Sequence, residues 1–189
     1  VFLEPNLATS STMLVDNFLL TSSTCKGGVF YIPWNGVAGS SSLTVSNSQL
    51  SCESQLTSST SAIVQLGDGN GGVSTGATIT ASNITVIVTG AFTAMHGIVV
   101  HTGSTSSTVA VTGCTVQVTG TAALTVSSKL LWVYGNHDAS TITVNSNTLD
   151  HTQASTTSQT VSGLVFQGGT IYNGATVHTD SNTVAITAD

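Results

Sequence analysis

Eight carboxylates, five histidines and three cysteines are the groups in this 189-residue chain that could carry chemistry. Enzymes that cleave polysaccharides need two or three converging carboxylates, or a carboxylate with a basic residue that accepts a proton. The best grouping here is Asp150-His151 with His178 and Asp180 one repeat later. Neighbouring residues of a strand point to opposite faces, so Asp150 and His151 do not converge. His137-Asp138 reads as a turn. Glu4, Asp16, Glu53, Asp68 and Asp189 fall at different phases of the repeat, and no arginine exists to hold an acidic sugar. The histidines (His96, His101, His137, His151, His178) show neither H-x-H nor H-x-x-x-H spacing, and the cysteines show no C-x-x-C. These are the spacings a zinc site needs. The sequence therefore names no catalytic residue, no metal ligand and no cofactor, and the chain does not read as an enzyme.

A nucleophilic Cys114 would need an electropositive neighbour, and none is evident, so it reads as a buried thiol. Cys25 and Cys52 lie in adjacent repeats, where a disulfide is geometrically open. Gly67 to Gly72 lacks the Lys-Ser/Thr of a phosphate loop and reads as a wide surface loop. Trp34 and Trp132, with Tyr31 and Tyr134, could stack sugars. Both tryptophans fall in apolar strand segments, so packing in or against the core is expected.

The elements that must position these groups follow from composition. Sixty residues are Ser or Thr, 5% are charged, and the net charge is -6 with two lysines. That excludes the basic stripe nucleic acid requires. No apolar run approaches the roughly 18 residues of a membrane helix, so no membrane insertion is expected. Low charge and abundant hydroxyls suggest an extracellular or cell-surface protein. The chain opens at Val1 without a signal-peptide pattern, which reads as a mature or excised segment, a fragment or a repeating unit of a longer assembly.

The sequence repeats. Alternating β-branched runs surround anchors at Asn17, Asn47, Asn83, Cys114, Asn147 and Asn182, spaced 30, 36, 31, 33 and 35 residues apart. A second series of short apolar runs closed by Gly begins at Val29, Ile63, Ile98, Leu131 and Leu164 with the same period. Val, Ile and Thr suit a pleated surface, and no 3.6-residue apolar period appears. Residues 1–189 are thus expected to form one all-β domain. It would be a right-handed parallel β-helix of five to six coils, about 33 residues each. The anchors would form one ladder of stacked Asn side chains, with Cys114 replacing one rung. The sequon Asn83-Ile84-Thr85 is a possible N-glycosylation site, silent if Asn83 points inward.

A parallel solenoid leaves unpaired strand edges at its ends. No capping helix is visible, and the strand Thr183 to Thr187 could begin a coil that Leu3 to Val15 of another copy completes. The assembly ends are therefore Leu3 and Val15 on one side and Val184 and Ile186 on the other. Such a head-to-tail contact does not close and yields a homopolymer. The Ser-Asn anchors at Asn47, Asn83, Asn147 and Asn182 resemble the Ser/Thr/Val-rich β-helix surface proteins of flagellated protists, including the dispersed gene family protein 1 group of kinetoplastids. The resemblance implies an extracellular, glycosylated structural or adhesive protein and carries over no catalytic residue; the Ser/Thr content itself also allows O-linked glycans. The leading expectation is a structural subunit of an extracellular fibril, flagellar hair or surface coat. A second is an ice- or glycan-binding module, for which Thr78-Ile79-Thr80 and Thr141-Ile142-Thr143 would need to align across coils; Val109-Ala110-Val111 of the intervening coil breaks that pattern. A polysaccharide lyase or glycoside hydrolase is the third.

Overall fold

The computed structural model describes residues 10–23, 30–32, 40–53, 62–66, 76–92, 95–102, 106–135, 139–154, 159–167 and 174–188. Among these the chain is all β, without helix, and winds between two parallel sheets. Strands β1 (Thr12–Asp16) and β2 (Leu19–Ser22) form the first rung of the larger sheet. The chain crosses to β3 (Phe30–Ile32) in the smaller sheet and returns as β4 (Ser42–Cys52). It crosses again to β5 (Ala62–Leu66) and returns as β6 (Thr78–Gly90). Then follow β7 (His96–Thr102), the pair β8 (Thr108–Thr112) and β9 (Thr115–Gly120), and β10 (Ser128–Gly135). The pair β11 (Thr141–Asn145) and β12 (Thr148–Gln153), then β13 (Val161–Gln167), lead to the last rung, β14 (Thr176–Asp180) with β15 (Thr183–Ala188).

The passage from β3 to β13 makes about four turns walled by both sheets, slightly fewer than the five to six coils expected. The difference lies at the ends. Among the described residues, the first and last rungs of the larger sheet each adjoin a smaller-sheet strand on one side only.

Each larger-sheet rung is built the same way. A left-handed residue opens it: Ser10, Ser40, Gly76, Ser106, Ala139 or Gly174, with φ between 49° and 86°. A second left-handed residue follows seven positions later: Asn17, Asn47, Asn83, Gly113, Ser146 or Ser181, with φ between 46° and 64°. That conformation costs little for Gly and Asn, and strands bend sharply there. The arm between the corners alternates faces, as strand geometry requires. Its inward row runs Met13, Leu43, Ile79, Val109, Ile142 and Val177 in register. Between the first and last rungs, every member of this row is fully buried. Each such side chain is worth about 1.5–3 kcal/mol of burial. The outward row carries a hydroxyl at all six levels: Thr12, Ser42, Thr78, Thr108, Thr141 and Thr176. The first corner column went unread in the sequence because Ser, Gly and Ala share no single side-chain signature.

Candidate functional site

The six anchors do not form one ladder. Register places Asn17, Asn47 and Asn83 in one column with Gly113, Ser146 and Ser181, at the left-handed corner itself. Cys114, Asn147 and Asn182 fall one residue later, in the column of Phe18, Ser48 and Ile84. One residue reverses the face in a strand. The first three anchors consequently face solvent, while Cys114 and Asn147 are buried and Asn182 is half-buried.

The two rows bond differently. In the outer row Asn83 Nδ2 donates to Asn47 Oδ1 at 3.2 Å. Asn47 Nδ2 then passes over Asn17 and donates to Asp16 Oδ1 at 2.9 Å. Ser46 Oγ also donates to that oxygen, at 2.7 Å. These two donors hold the Asp16 carboxyl below the ordinary carboxylate range. The row stops at Gly113, where a Cβ would lie 2.6 Å from Asn83 Oδ1. In the inner row Asn147 Oδ1 accepts from Cys114 N at 2.9 Å, and Asn147 Nδ2 donates to Val111 O at 3.0 Å. Asn182 Oδ1 accepts from both Asn147 N (3.1 Å) and Asn147 Nδ2 (2.9 Å), and its Nδ2 donates to Val144 O at 2.6 Å. Parity betrays the frame. The core row Leu20, Leu50, Val86, Val116, Leu149 and Val184 lies three positions after Asn17, Asn47 and Asn83 but two after Cys114, Asn147 and Asn182.

Asn83 displays its sequon on the outside, so the inward orientation that would silence it does not occur. Cys114 is a free, buried thiol, and burial pushes its pKa up to about 11, which keeps it protonated and inert. Cys52 is disulfide-bonded; Cys25 lies outside the described residues, as do Leu3, Trp34, the 67–72 loop and the His137-Asp138 pair.

The grouping of Asp150, His151, His178 and Asp180 does not assemble. His178 and Asp180 stand on the exposed outer face of β14, before the corner, whereas Asp150 is on β12, beyond it, paired with Gln117 and Ala185. His151 points into the core, edge-on to Phe92 at 6.2 Å, and its Nε2 donates to Gln153 Oε1 at 2.9 Å. Gln153 Nε2 donates in turn to Ala122 O, and Gly120 leaves room for the carboxamide because a methyl there would strike Gln153 Oε1. Burial keeps His151 neutral by lowering its pKa. Among the described residues no three His, Cys, Asp or Glu side chains gather as metal ligands.

On the smaller sheet Trp132 and Tyr134 lie on the outer side, whereas Phe30 is buried in the core. Trp132 is half-buried, with Tyr134 edge-on at 5.2 Å and His96 at 5.2 Å. Lys129 Nζ sits 3.3 Å from the Trp132 ring centroid. That cation covers the face a sugar would use. His96 Nδ1 accepts from Lys129 N at 3.2 Å, and burial beside the Lys129 charge lowers the His96 pKa to about 4.

The ends differ from the middle. On the last rung the core-facing Val177, Val184 and Ile186 are 42%, 47% and 44% exposed, whereas Ile142, Leu149 and His151 directly beneath them are buried. On the first rung Leu14 and Leu19 are 63% and 69% exposed, in rows that carry Thr44 and Gln49 on the next rung. Among the described residues neither β1/β2 nor β14/β15 has a second neighbouring strand. Val15 is half-buried against the core. It belongs to a rung equivalent to β14, so the two ends are whole rungs and not the complementary half-coils expected. Comparison with family models, curated proteins and solved structures gives no match for this chain.

Proposed function

We propose that this protein is a structural subunit of an extracellular fibril or surface coat, built by end-to-end stacking of solenoids. The observation that carries the reading is the uncovered last rung. Val177, Val184 and Ile186 continue rows that are buried on the rungs below, and they stand open where another rung would cover them. A first rung of a second copy is such a rung. It has the same seven-residue arm between left-handed corners. In register it sets Met13 on Val177, Leu20 on Val184 and Thr12 on Thr176, continuing the apolar and hydroxyl rows. The contact is heterologous and open, so it propagates. A nearly uncharged hydroxyl surface suits a hydrated coat, and the exposed sequon at Asn83 is where an N-glycan would be carried. Electron microscopy of negatively stained protein tests the reading. Filaments with an axial repeat of about 29 Å, six rungs at about 4.8 Å each, are expected. Isolated short rods at high concentration would overturn it.

One observation favours a second reading, a water- or ice-binding face. The hydroxyl row from Thr12 to Thr176 is unbroken, because Thr108 precedes Val109 and supplies the rung that the T-x-T pattern lacked. Its companion row reads Leu14, Thr44, Thr80, Ala110, Thr143 and His178, so the paired array is complete on three rungs. Thermal hysteresis of the solution, lost in Thr78→Tyr, would support this reading, and its absence would remove it.

A further inference from the structure

We propose that end-to-end stacking is gated by acid, because the register that continues the core rows sets Asp180 of one copy against Asp16 of the next. This rests on the end-to-end reading above. The outward column that contains both residues runs Asp16, Ser46, Ser82, Thr112, Asn145 and Asp180. Within one molecule every contact in this column is neutral with neutral or neutral with acid. The sole like-charge contact arises at the junction between copies, where strand spacing brings the two residues to about 4.8 Å.

Both residues hold fixed places in this column. Asp16 is exposed and tied to Ser46 Oγ and Asn47 Nδ2 of the adjoining rung of its own copy, which keeps it there. Asp180 is exposed, and its own N–H donates to Asn145 Oδ1 at 2.9 Å, which fixes its backbone in the column. Of the other groups at the junction, β14 contributes His178, which lies opposite Leu14 of the next copy. Strands β1, β2 and β15 contribute no further charged or titratable side chain. Asp150, on the rung beneath β15, faces Ala185.

Two carboxylates this close do not both stay ionised without cost, so the stacked form takes up a proton that the separated ends do not hold. By linkage, association strengthens as pH falls and weakens as pH rises. The junction is then weaker at neutral pH than in acid, and regains its strength at neutral pH once one carboxylate is removed.

Sedimentation velocity of the full chain at pH 7.5 and pH 4.5 tests this, with Asp180→Asn and the off-junction control Asp150→Asn. Association of the native chain is expected to be about tenfold or more tighter at the lower pH. Asp180→Asn is expected to associate at pH 7.5 as tightly as the native chain does in acid, with circular dichroism unchanged, and Asp150→Asn to behave as the native chain. The neutral-pH arm separates the gate from acid unfolding. Equal strengthening by both substitutions would show that net charge alone is read, and would overturn the gate. A native chain that stacks equally at both pH values, indifferent to Asp180→Asn, would leave stacking standing and remove the gate. No association by any variant at either pH would remove the end-to-end reading itself.

Discussion

The first three rungs and the last three use the same residue for opposite purposes. In the first three, Asn stands at the corner and points to solvent, and Asn47 and Asn83 bond sideways to Asp16 and to Asn47. In the last three, Ser or Gly takes the corner and the residue after it turns inward; Asn147 and Asn182 there accept a backbone N–H, and the Cys114 thiol faces the Ala81 and Thr112 carbonyls. The outer Asn relieves a backbone conformation, a need Gly meets equally well. The inner Asn bonds buried backbone groups, and leaving such a group unpaired costs about 1–3 kcal/mol. The two halves should therefore respond unequally to the same substitution.

The largest effect is expected at Asn147. Asn147→Ala strips Cys114 N–H of its acceptor and Val111 O of a donor. A loss of about 2–4 kcal/mol in chemical denaturation follows. A loss below about 1 kcal/mol would mean that the inner row is not load-carrying, and would erase the contrast.

Acid should loosen the C-terminal half next. His151 lies in the core there, at the level occupied by Cys52, Val88 and Val118 on earlier rungs. His96 behaves similarly on the smaller sheet, with its pKa lowered to about 4. Both are neutral in the fold and bind a proton in the unfolded chain near pH 6.5. The unfolded state thus holds more protons as pH falls below about 6.5, and stability declines with falling pH. For His96 the decline continues until its folded pKa of about 4. The expected loss between pH 7 and pH 5 is about 1–2 kcal/mol. Hydrogen exchange should show β12 losing protection before β4, and His151→Leu should flatten its share of the slope.

A smaller effect is expected where the outer row ends. Gly113→Ala places a methyl against the Asn83 carboxamide and puts Ala at φ 64°. A cost of about 1–2 kcal/mol is expected. A double-mutant cycle with Asn83→Ala should recover part of it, because only the clash, and not the backbone conformation, involves Asn83. The smallest change should come from Asn47→Gly, within about 0.5–1 kcal/mol. The matching Asn147→Gly should cost several times more, and that ratio is the sharpest statement of the difference between the halves.

Much of this was legible beforehand. Alternation of β-branched residues, the absence of a helical period and two series with one spacing led to a parallel solenoid with a coil of about 33 residues. Those signals are local, and strand geometry converts them directly into faces and rungs. The buried Cys114 thiol was also readable, since it needs no knowledge of a partner. What failed was the ladder. Ser-Asn recurs at 46–47, 82–83, 146–147 and 181–182, yet the corner falls on Asn in the first two and on Ser in the others. The dipeptide is compatible with both frames because Asn and Ser each tolerate the left-handed corner there.

The sequence by itself determined the class of fold, the repeat and the alternation of each strand, because these depend on side-chain period and β propensity within a few residues. Only the tertiary structure decided the frame of each corner. A one-residue shift exchanges inside for outside, and the neighbouring coils settle it by which frame buries Leu50 or Leu149 and leaves no core N–H unpaired. The same stacking decided that His151 lies inside, that Trp132 lies outside beneath Lys129, and that Asp16 and Asp180 occupy one column at opposite ends. Residues more than 160 positions apart share that column only because parallel strands add one rung at a time along a common axis.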